Sequence, residues 1–338
     1  MKILINGIGR IGKAILKIAS KDKDIEIIAI NDTNPCIENI AYSINYDSTY
    51  GTFSDKYKIK DKYIINKKNK IKVLNEKNIQ NIDFKTLGID YIIDSSGVKQ
   101  DHKILKNLAV KKVFVSHPDK DADINIIMGV NQKDLKDKHK VVSTSSCNAT
   151  ALLPVLKIID ENFKIDCGEI TTIHPLLNHQ KVLDGHCIKS ATRDVDCNFE
   201  FGRSAFENII PSKTTTIDAC SLIMPNINSN IFSSSSLRIS TQTVGVIDIS
   251  IFVKDKCTKE NLIKVLKKEQ KNQKFKTIKN NFEKLVSSDF KKLKYNTAID
   301  HRFTDVKMDK MIKMMIWYDN EWGYASKVLE CLKYSDCK

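Results

Sequence analysis

Two residue types in this chain pair a nucleophile with a base. Cys147 stands in STSSCNAT (143–150) and His174 in TTIHP (171–175). A thiol beside an imidazole makes an activated nucleophile. Cys147 also opens a stretch of helical pattern, where free backbone N–H groups and the helix dipole favour a thiolate. Spacing does not bring the two together, and either residue taken singly is equally a packed structural one. The arginines add a separate hint. Against 50 lysines the chain has 5 arginines, so an arginine suggests a need for the planar fork that grips phosphate or carboxylate. Arg203 (in GRSAFENIIPS) and Arg238 (in LRIST) both follow the cysteine.

A second constellation lies at the other end of the chain. The apolar run KILIN (2–6) leads into Gly7, Gly9 and Gly12, then into the helical spacing Ile11, Ala14, Ile15, Ile18. Another apolar run, IEIIAI (25–30), ends at Asn31-Asp32. Strand, G-x-G-x-x-G turn, helix, strand and acid form the dinucleotide-binding fingerprint. Gly7 permits the tight turn, Gly9 lets the backbone approach a pyrophosphate at the helix N-terminus, and Gly12 lets the helix pack close. Asp32 lies 20 residues past Gly12, placed to accept from an adenosine ribose and to repel a 2′-phosphate. NAD is therefore expected rather than NADP. The other reading of Asp32 is an N-cap for a helix over 36–44.

The elements that must position these residues fall into two groups. Residues 1–146 read as a doubly wound nucleotide domain, with strands at 90–94, 112–115, 124–128 and 141–143, a helix over 99–109 and small strands within 56–81. Residues 147–317 read as an α+β catalytic domain with a mainly antiparallel sheet. Its strands are 167–174, 231–240, 244–254 and 311–317, and its helices 148–162, 204–210, 215–223 and 258–269. Pro154 predicts a kink or an early turn in the first of these helices, and the serine run 233–236 reads as a loop before a strand. A last helix, about 318–338, is expected to return to the first domain. The fold class is thus α/β: a Rossmann-type doubly wound domain beside an α+β domain.

Composition excludes other classes. The 338 residues are 41% hydrophobic and 28% charged, an ordinary globular balance. No apolar run approaches the ~20 residues of a membrane helix, and MKILINGIGR is too short an apolar stretch for a signal peptide. Nine cysteines without C-x-x-C or zinc spacing fit a reduced, cytoplasmic setting and no metal. The net charge of +14 is spread as a chain-wide lysine bias without a recognition motif, so nucleic acid is not expected as the main partner.

Taken in order along the chain, INGIGRIG (5–12), IND (30–32), YDSTYG (46–51), SSG (95–97), MGVN (128–131), SSC (145–147), TTIH (171–174), NIIPS (208–212), SSDF (287–290) and WYDNEWGY (317–324) resemble the glyceraldehyde-3-phosphate dehydrogenase family, which includes erythrose-4-phosphate dehydrogenase. The resemblance, not the spacing, joins Cys147 to His174. It implies an aldehyde oxidation through a cysteine thioester, with His174 as base and NAD as cofactor. It further implies that Gly9, Arg10, Ile11, Asp32, Ser95, Ser96, Gly97 and Ser116 bind the cofactor, and that Asn320 orients its nicotinamide. Ser146, Asn148, His179, Arg203, Thr214, Thr215 and Arg238 fall in segments resembling the family's phosphate-binding elements. The implied partners are a phosphorylated sugar aldehyde, inorganic phosphate and further copies of the chain in a homotetramer, whose central loop corresponds to about 181–202.

The chain departs from the family pattern at the phosphate elements. Asn148-Ala149 stands where Thr-Thr is usual, Leu177 and His179 stand where threonines are usual, Thr215 replaces a glycine, and His186 replaces a proline. SHP (116–118), GVNQ (129–132) and NEWG (320–323) resemble the erythrose-4-phosphate branch, whose thioester is released by water; YDSTYG and WYDN resemble the other branch. Oxidation of glyceraldehyde 3-phosphate is the first expectation. The alternatives are the tetrose reaction and a divergent, weakly active basic binding protein.

Overall fold

Alternating and continuous apolar runs build two sheets. The computed structural model describes residues 1–187 and 199–337, and these divide into two units. The first comprises Met1–Ile126, Gln132–Ser145 and Ala325–Lys338, and the second Ile127–Asn131 and Ser146–Tyr324. No helix among the described residues is long and apolar enough to cross a membrane.

The first unit holds strands β1 (Lys2–Asn6), β2 (Glu26–Asn31), β3 (Lys58–Lys60), β4 (Tyr63–Ile65), β5 (Lys70–Leu74), β6 (Tyr91–Asp94), β7 (Lys112–Val115), β8 (Ile124–Asn125) and β9 (Val141–Ser143). Its helices are α1 (Arg10–Ala19), α2 (Ile37–Asn45), α3 (Phe84–Leu87) and α4 (His102–Asn107). The sheet runs β3-β4-β5-β2-β1-β6-β7-β9-β8, parallel from β5 to β8. Central strands buried on both faces need continuous apolar sequence, and Ile3, Leu4, Ile5, Ile92 and Ile93 are all fully buried. The chain winds outward from β1 in one direction to β2 and in the other to β6. The crevice where ligands bind in such folds opens at the carboxyl ends of these strands.

Those ends are joined by a buried polar chain. Asn31 Nδ2 donates to Asn6 Oδ1 (2.7 Å), and Asn6 Nδ2 donates to Asp94 Oδ1 (3.1 Å). Asp94 Oδ1 also accepts the Ser96 N–H (3.0 Å). Asp94 is 1% exposed, and burial pushes its carboxyl above the usual range despite the hydrogen bonds from Ser96 and Asn6 that pull it down.

The second unit opens with α5 (Cys147–Phe163), apolar on nearly every side and sunk in the core. Around it lie β10 (Ile165–His174), β11 (Ile210–Ser212), β12 (Phe232–Arg238), β13 (Gly245–Val253), β14 (Ile278–Asn281), β15 (Thr297–Asp300), β16 (Asp305–Lys307) and β17 (Met311–Tyr318). Helices α6 (Thr216–Ser221), α7 (Lys259–Asn272) and α8 (Trp322–Asp336) complete the set. The sheet order is β11-β12-β10-β13-β17-β15-β14, with β16 on β17. Five of its seven pairings are antiparallel; β10–β12 and β14–β15 are parallel. From Ala325 onward α8 belongs to the first unit, where Asp336 accepts from Tyr91 Oη (2.7 Å) and Lys333 pairs with Asp22 and Asp24.

Three local expectations fail, each for a visible reason. Residues 204–210 form no helix. The Ser204 N–H and hydroxyl are taken by Asp184 and the Val182 carbonyl, and Asn208 Nδ2 takes the Ser204 carbonyl that a helix would use. The serine run 233–236 is strand, not loop: it pairs with Glu169–Thr172 of β10, and Ser235 shares a hydroxyl hydrogen bond with Thr171 (3.0 Å). Pro154 does not interrupt α5. A proline leaves the carbonyl four residues earlier without its helical donor; here that carbonyl is Thr150's, and Asn296 Nδ2 supplies the missing donor at 3.0 Å while also reaching the Met128 carbonyl at 3.2 Å.

Two measurements check these buried polar groups. Asn296→Leu leaves both carbonyls without a donor and is expected to lower stability by about 1–3 kcal/mol in urea unfolding; an unchanged midpoint contradicts the role. The Asp94 carboxyl is raised in the fold, so its contribution is present below the unfolded pKa of about 3.9 and is lost as pH rises through the higher folded value. Asp94→Asn removes that loss. Its stability relative to wild type is expected to rise from pH 3.5 to pH 7; a pH-independent difference contradicts the assignment.

Candidate active site

Cys147 is the first residue of α5. The turn before it is fixed locally: Ser145 takes a left-handed φ of 59°, and Ser146 caps the helix, its Oγ accepting the Ala149 N–H at 3.1 Å. Ser146 is thus a structural cap, and Cys147 sits where the helix's free N–H groups gather. His174 ends β10 and is 4% exposed. Its Nε2 lies 3.8 Å from Cys147 Sγ, and its Nδ1 lies 2.8 Å from the Pro175 carbonyl. A carbonyl only accepts, so Nδ1 carries the proton and Nε2 presents its lone pair to the thiol. That is the tautomer a general base needs.

Sequence reasoning missed a third member, Tyr318, at the end of β17. Its hydroxyl donates to Asn148 Oδ1 at 2.6 Å, its ring meets the His174 imidazole edge-on at 6.5 Å, and burial drives its phenol well above the usual range. The ring fits because its cross-strand neighbour is Gly245; a Cβ there would fall 2.5 Å from the phenol. Asn148 is held at its other end too, Nδ2 donating to Thr216 Oγ1 at 3.1 Å, and Thr216 shares a 2.7 Å hydrogen bond with Thr214. The amide proposed for a phosphate is therefore engaged by the protein. The one sequence signal for Tyr318 was its place in the WYDN run.

The remaining anion-site residues divide. Arg238 is buried at the end of β12, in register with His174 on β10 and Ile210 on β11, and its charge acts on the Tyr318 phenol. Arg203 instead pairs with Asp184 at 2.9 Å, both well exposed. His179 is exposed and stacks edge-on with Phe201 at 5.5 Å. Thr215 precedes α6, where its side chain makes no capping bond. In the expected central loop, residues 188–198 lie outside the described residues.

Asn320 is also pinned in the second unit. Its Oδ1 accepts from Val244 N (3.0 Å) and Thr243 Oγ1 (3.2 Å). Val244 offers that N–H from a φ of 70°, a costly conformation for a β-branched residue and one that persists where the surroundings demand it.

In the first unit the glycine turn carries the marks of a dinucleotide cradle. Gly7 has φ +86°, and a Cβ there would strike the Ser96 backbone at 2.4 Å; a Cβ on Gly12 would lie 1.9 Å from the Gly7 carbonyl. Gly9 differs, since a Cβ there would meet nothing within 4 Å. The protein's own packing does not require glycine at that position, whereas a pyrophosphate approaching the backbone does. Gly9 also precedes α1 without a side-chain cap. Asp32 is not the cap of α2; Cys36 is. Asp32 reaches back to the turn, its Oδ2 accepting the Ile8 N–H at 2.8 Å and its Oδ1 the Asn34 N–H at 2.9 Å. Arg10 is tied to Asp47 (3.0 Å), Ile11 is half-buried, and Ser95 Oγ donates to the Gly7 carbonyl (2.9 Å). Ser96 and Gly97 (φ 72°) shape the facing turn, and Ser116 N–H donates to the Asp94 carbonyl (3.0 Å). These residues fit NAD.

Comparison with known proteins agrees. Residues 1–102 match the family model described as the glyceraldehyde 3-phosphate dehydrogenase NAD binding domain, and residues 146–320 match that of its C-terminal domain. The chain is 32% identical to a glyceraldehyde-3-phosphate dehydrogenase of Chlamydia pneumoniae, covering 99% of this chain and 98% of that one. It is 33% identical to that of Borreliella burgdorferi, with 98% of each covered. With glyceraldehyde-3-phosphate dehydrogenase 2 of Bacillus subtilis it shares 31% identity over 99% of this chain and 96% of that one. The chain belongs to the glyceraldehyde-3-phosphate dehydrogenase family and is an NAD-dependent oxidoreductase.

Proposed function

We propose that the protein oxidises glyceraldehyde 3-phosphate to 1,3-bisphosphoglycerate through a thioester on Cys147. The observation that carries this reading is the 3.8 Å approach of His174 Nε2 to Cys147 Sγ with the Nδ1 proton committed to Pro175. His174 accepts the thiol proton, and the sulfur adds to the aldehyde carbon to give a hemithioacetal. The N–H groups at the start of α5 and the imidazolium face the oxyanion. NAD, when bound, supplies a hydride acceptor for the oxidation. Asn320, its amide oxygen already held by Val244 and Thr243, turns its NH2 end to orient the nicotinamide carboxamide. Arg238, buried in register with His174, binds the substrate's phosphate by its fork. A homotetramer and a cytoplasmic location are part of the same proposal.

One observation favours a second reading. The Asn148 amide is engaged by Tyr318 and Thr216, and Leu177, three residues after the histidine in sequence, has no side-chain donor. A phosphate acceptor so poorly served supports release of the thioester by water, as in oxidation of erythrose 4-phosphate.

NADH formation by purified protein separates the two. Glyceraldehyde 3-phosphate is expected to give turnover that depends on inorganic phosphate and is abolished in Cys147→Ser, while that variant keeps its NAD affinity. Phosphate-independent turnover on erythrose 4-phosphate moves the protein to the second reading. Wild-type turnover by Cys147→Ser contradicts both.

A further inference from the structure

The first unit gathers a set of side chains that neither the oxidation nor the dinucleotide cradle uses. His102 opens α4, and His117, Asp119 and Asp121 follow β7. His102 Nε2 lies 2.7 Å from Asp119 Oδ2 and His117 Nε2 lies 3.7 Å from the same oxygen. Ligand atoms of His102, Asp119 and Asp121 all fall within 4.8 Å of one another. We propose that His102, His117, Asp119 and Asp121 form a binding site for a divalent transition-metal ion of the zinc type.

Three features argue for an ion over a plain ion pair. The donors are two imidazoles and two carboxylates, a set suited to zinc and its neighbours rather than to calcium or magnesium, which take oxygen ligands. The central carboxylate is preorganised. Asp119 is 7% exposed, its N–H donates to Asn125 Oδ1 (3.2 Å), its carbonyl accepts from Asn125 Nδ2 (2.7 Å), and its Oδ1 accepts the Asp121 N–H (3.0 Å). Its Oδ2 is left facing both imidazoles. Finally, the cluster has an entry path, because Asp121 is exposed and the His117 side chain is 35% exposed. Ligands about 2.0–2.2 Å from zinc stand farther apart than 2.7 Å, so the ion displaces the His102–Asp119 hydrogen bond and opens that pair by roughly half an ångström. His102 Nδ1 is buried with no acceptor among the described residues. A ligand histidine usually donates its other nitrogen to such a partner, so the site is an exchangeable one rather than a structural anchor. The sequence concealed it because the ligands come from two separate segments and show no zinc spacing.

The test is calorimetric titration of the full-length protein with zinc chloride. Its thiols are first alkylated with iodoacetamide, so that the free cysteines do not compete. Cobalt chloride, read by its visible absorption, reports coordination geometry. Wild type is expected to bind one equivalent of each metal and to gain thermal stability with zinc. His102→Ala and Asp121→Asn are each expected to weaken binding at least about tenfold and to lose the zinc-dependent rise in Tm. Asp121 is exposed and its replacement is expected to leave the melting curve of the metal-free protein unchanged, so loss of binding there is not loss of fold. Absence of one-to-one binding in folded wild type, or unchanged affinity in Asp121→Asn, overturns the proposal.

Discussion

The hydrogen bond from His174 Nδ1 to the Pro175 carbonyl sets the chemistry of the second unit. It fixes which nitrogen carries the proton, and with it the direction in which the imidazole accepts. Everything around it serves to keep His174 Nε2 and Cys147 Sγ facing each other. The parallel pairing of β10 with β12 puts His174 beside Arg238. Tyr318 packs its ring against the imidazole and locks Asn148, the residue after Cys147. The Gly245 position makes room for that ring. A helix so apolar, with a proline at its middle, holds the cysteine at its first turn because Asn296 satisfies the carbonyl that Pro154 frees.

The same economy of buried polar groups recurs in the first unit. Asn31, Asn6 and Asp94 hydrogen-bond across the ends of three neighbouring strands, and Asp94 then holds the turn that faces the glycine loop. Asp32 holds the loop from the other side through Ile8. Polar groups buried at these depths are costly unless paired, and their pairing is what makes the crevice rim a fixed shape.

Much of this was legible in the sequence. Gly7 and Gly12 are diagnostic because backbone geometry leaves few other residues able to take their places, Asp32 because its carboxylate accepts from the glycine turn, and the apolar strand runs followed from burial on both faces. Cys147 and His174 were legible as chemical types, but their meeting depends on sheet register, and it was the family resemblance that paired them. Tyr318 and Asn148 are 170 residues apart, and no local pattern predicts their contact. The helix expected over 204–210 failed because side chains from Asp184 and Asn208 compete for the backbone, a competition that propensity does not record. Arg203 looked like Arg238 in sequence, yet one is tied to an exposed carboxylate and the other is buried beside the histidine strand.

The central claim is that His174 and the start of α5 together make Cys147 a nucleophile. The direct measurement is the rate of alkylation of Cys147 by iodoacetamide between pH 5 and 9, followed by mass spectrometry, with the exposed thiol of Cys36 as internal reference. Cys147 is expected to react at pH values where Cys36 is inert, and His174→Gln is expected to erase most of that advantage. Matching pH profiles for the two thiols, or a profile for Cys147 that does not change in His174→Gln, contradicts the account.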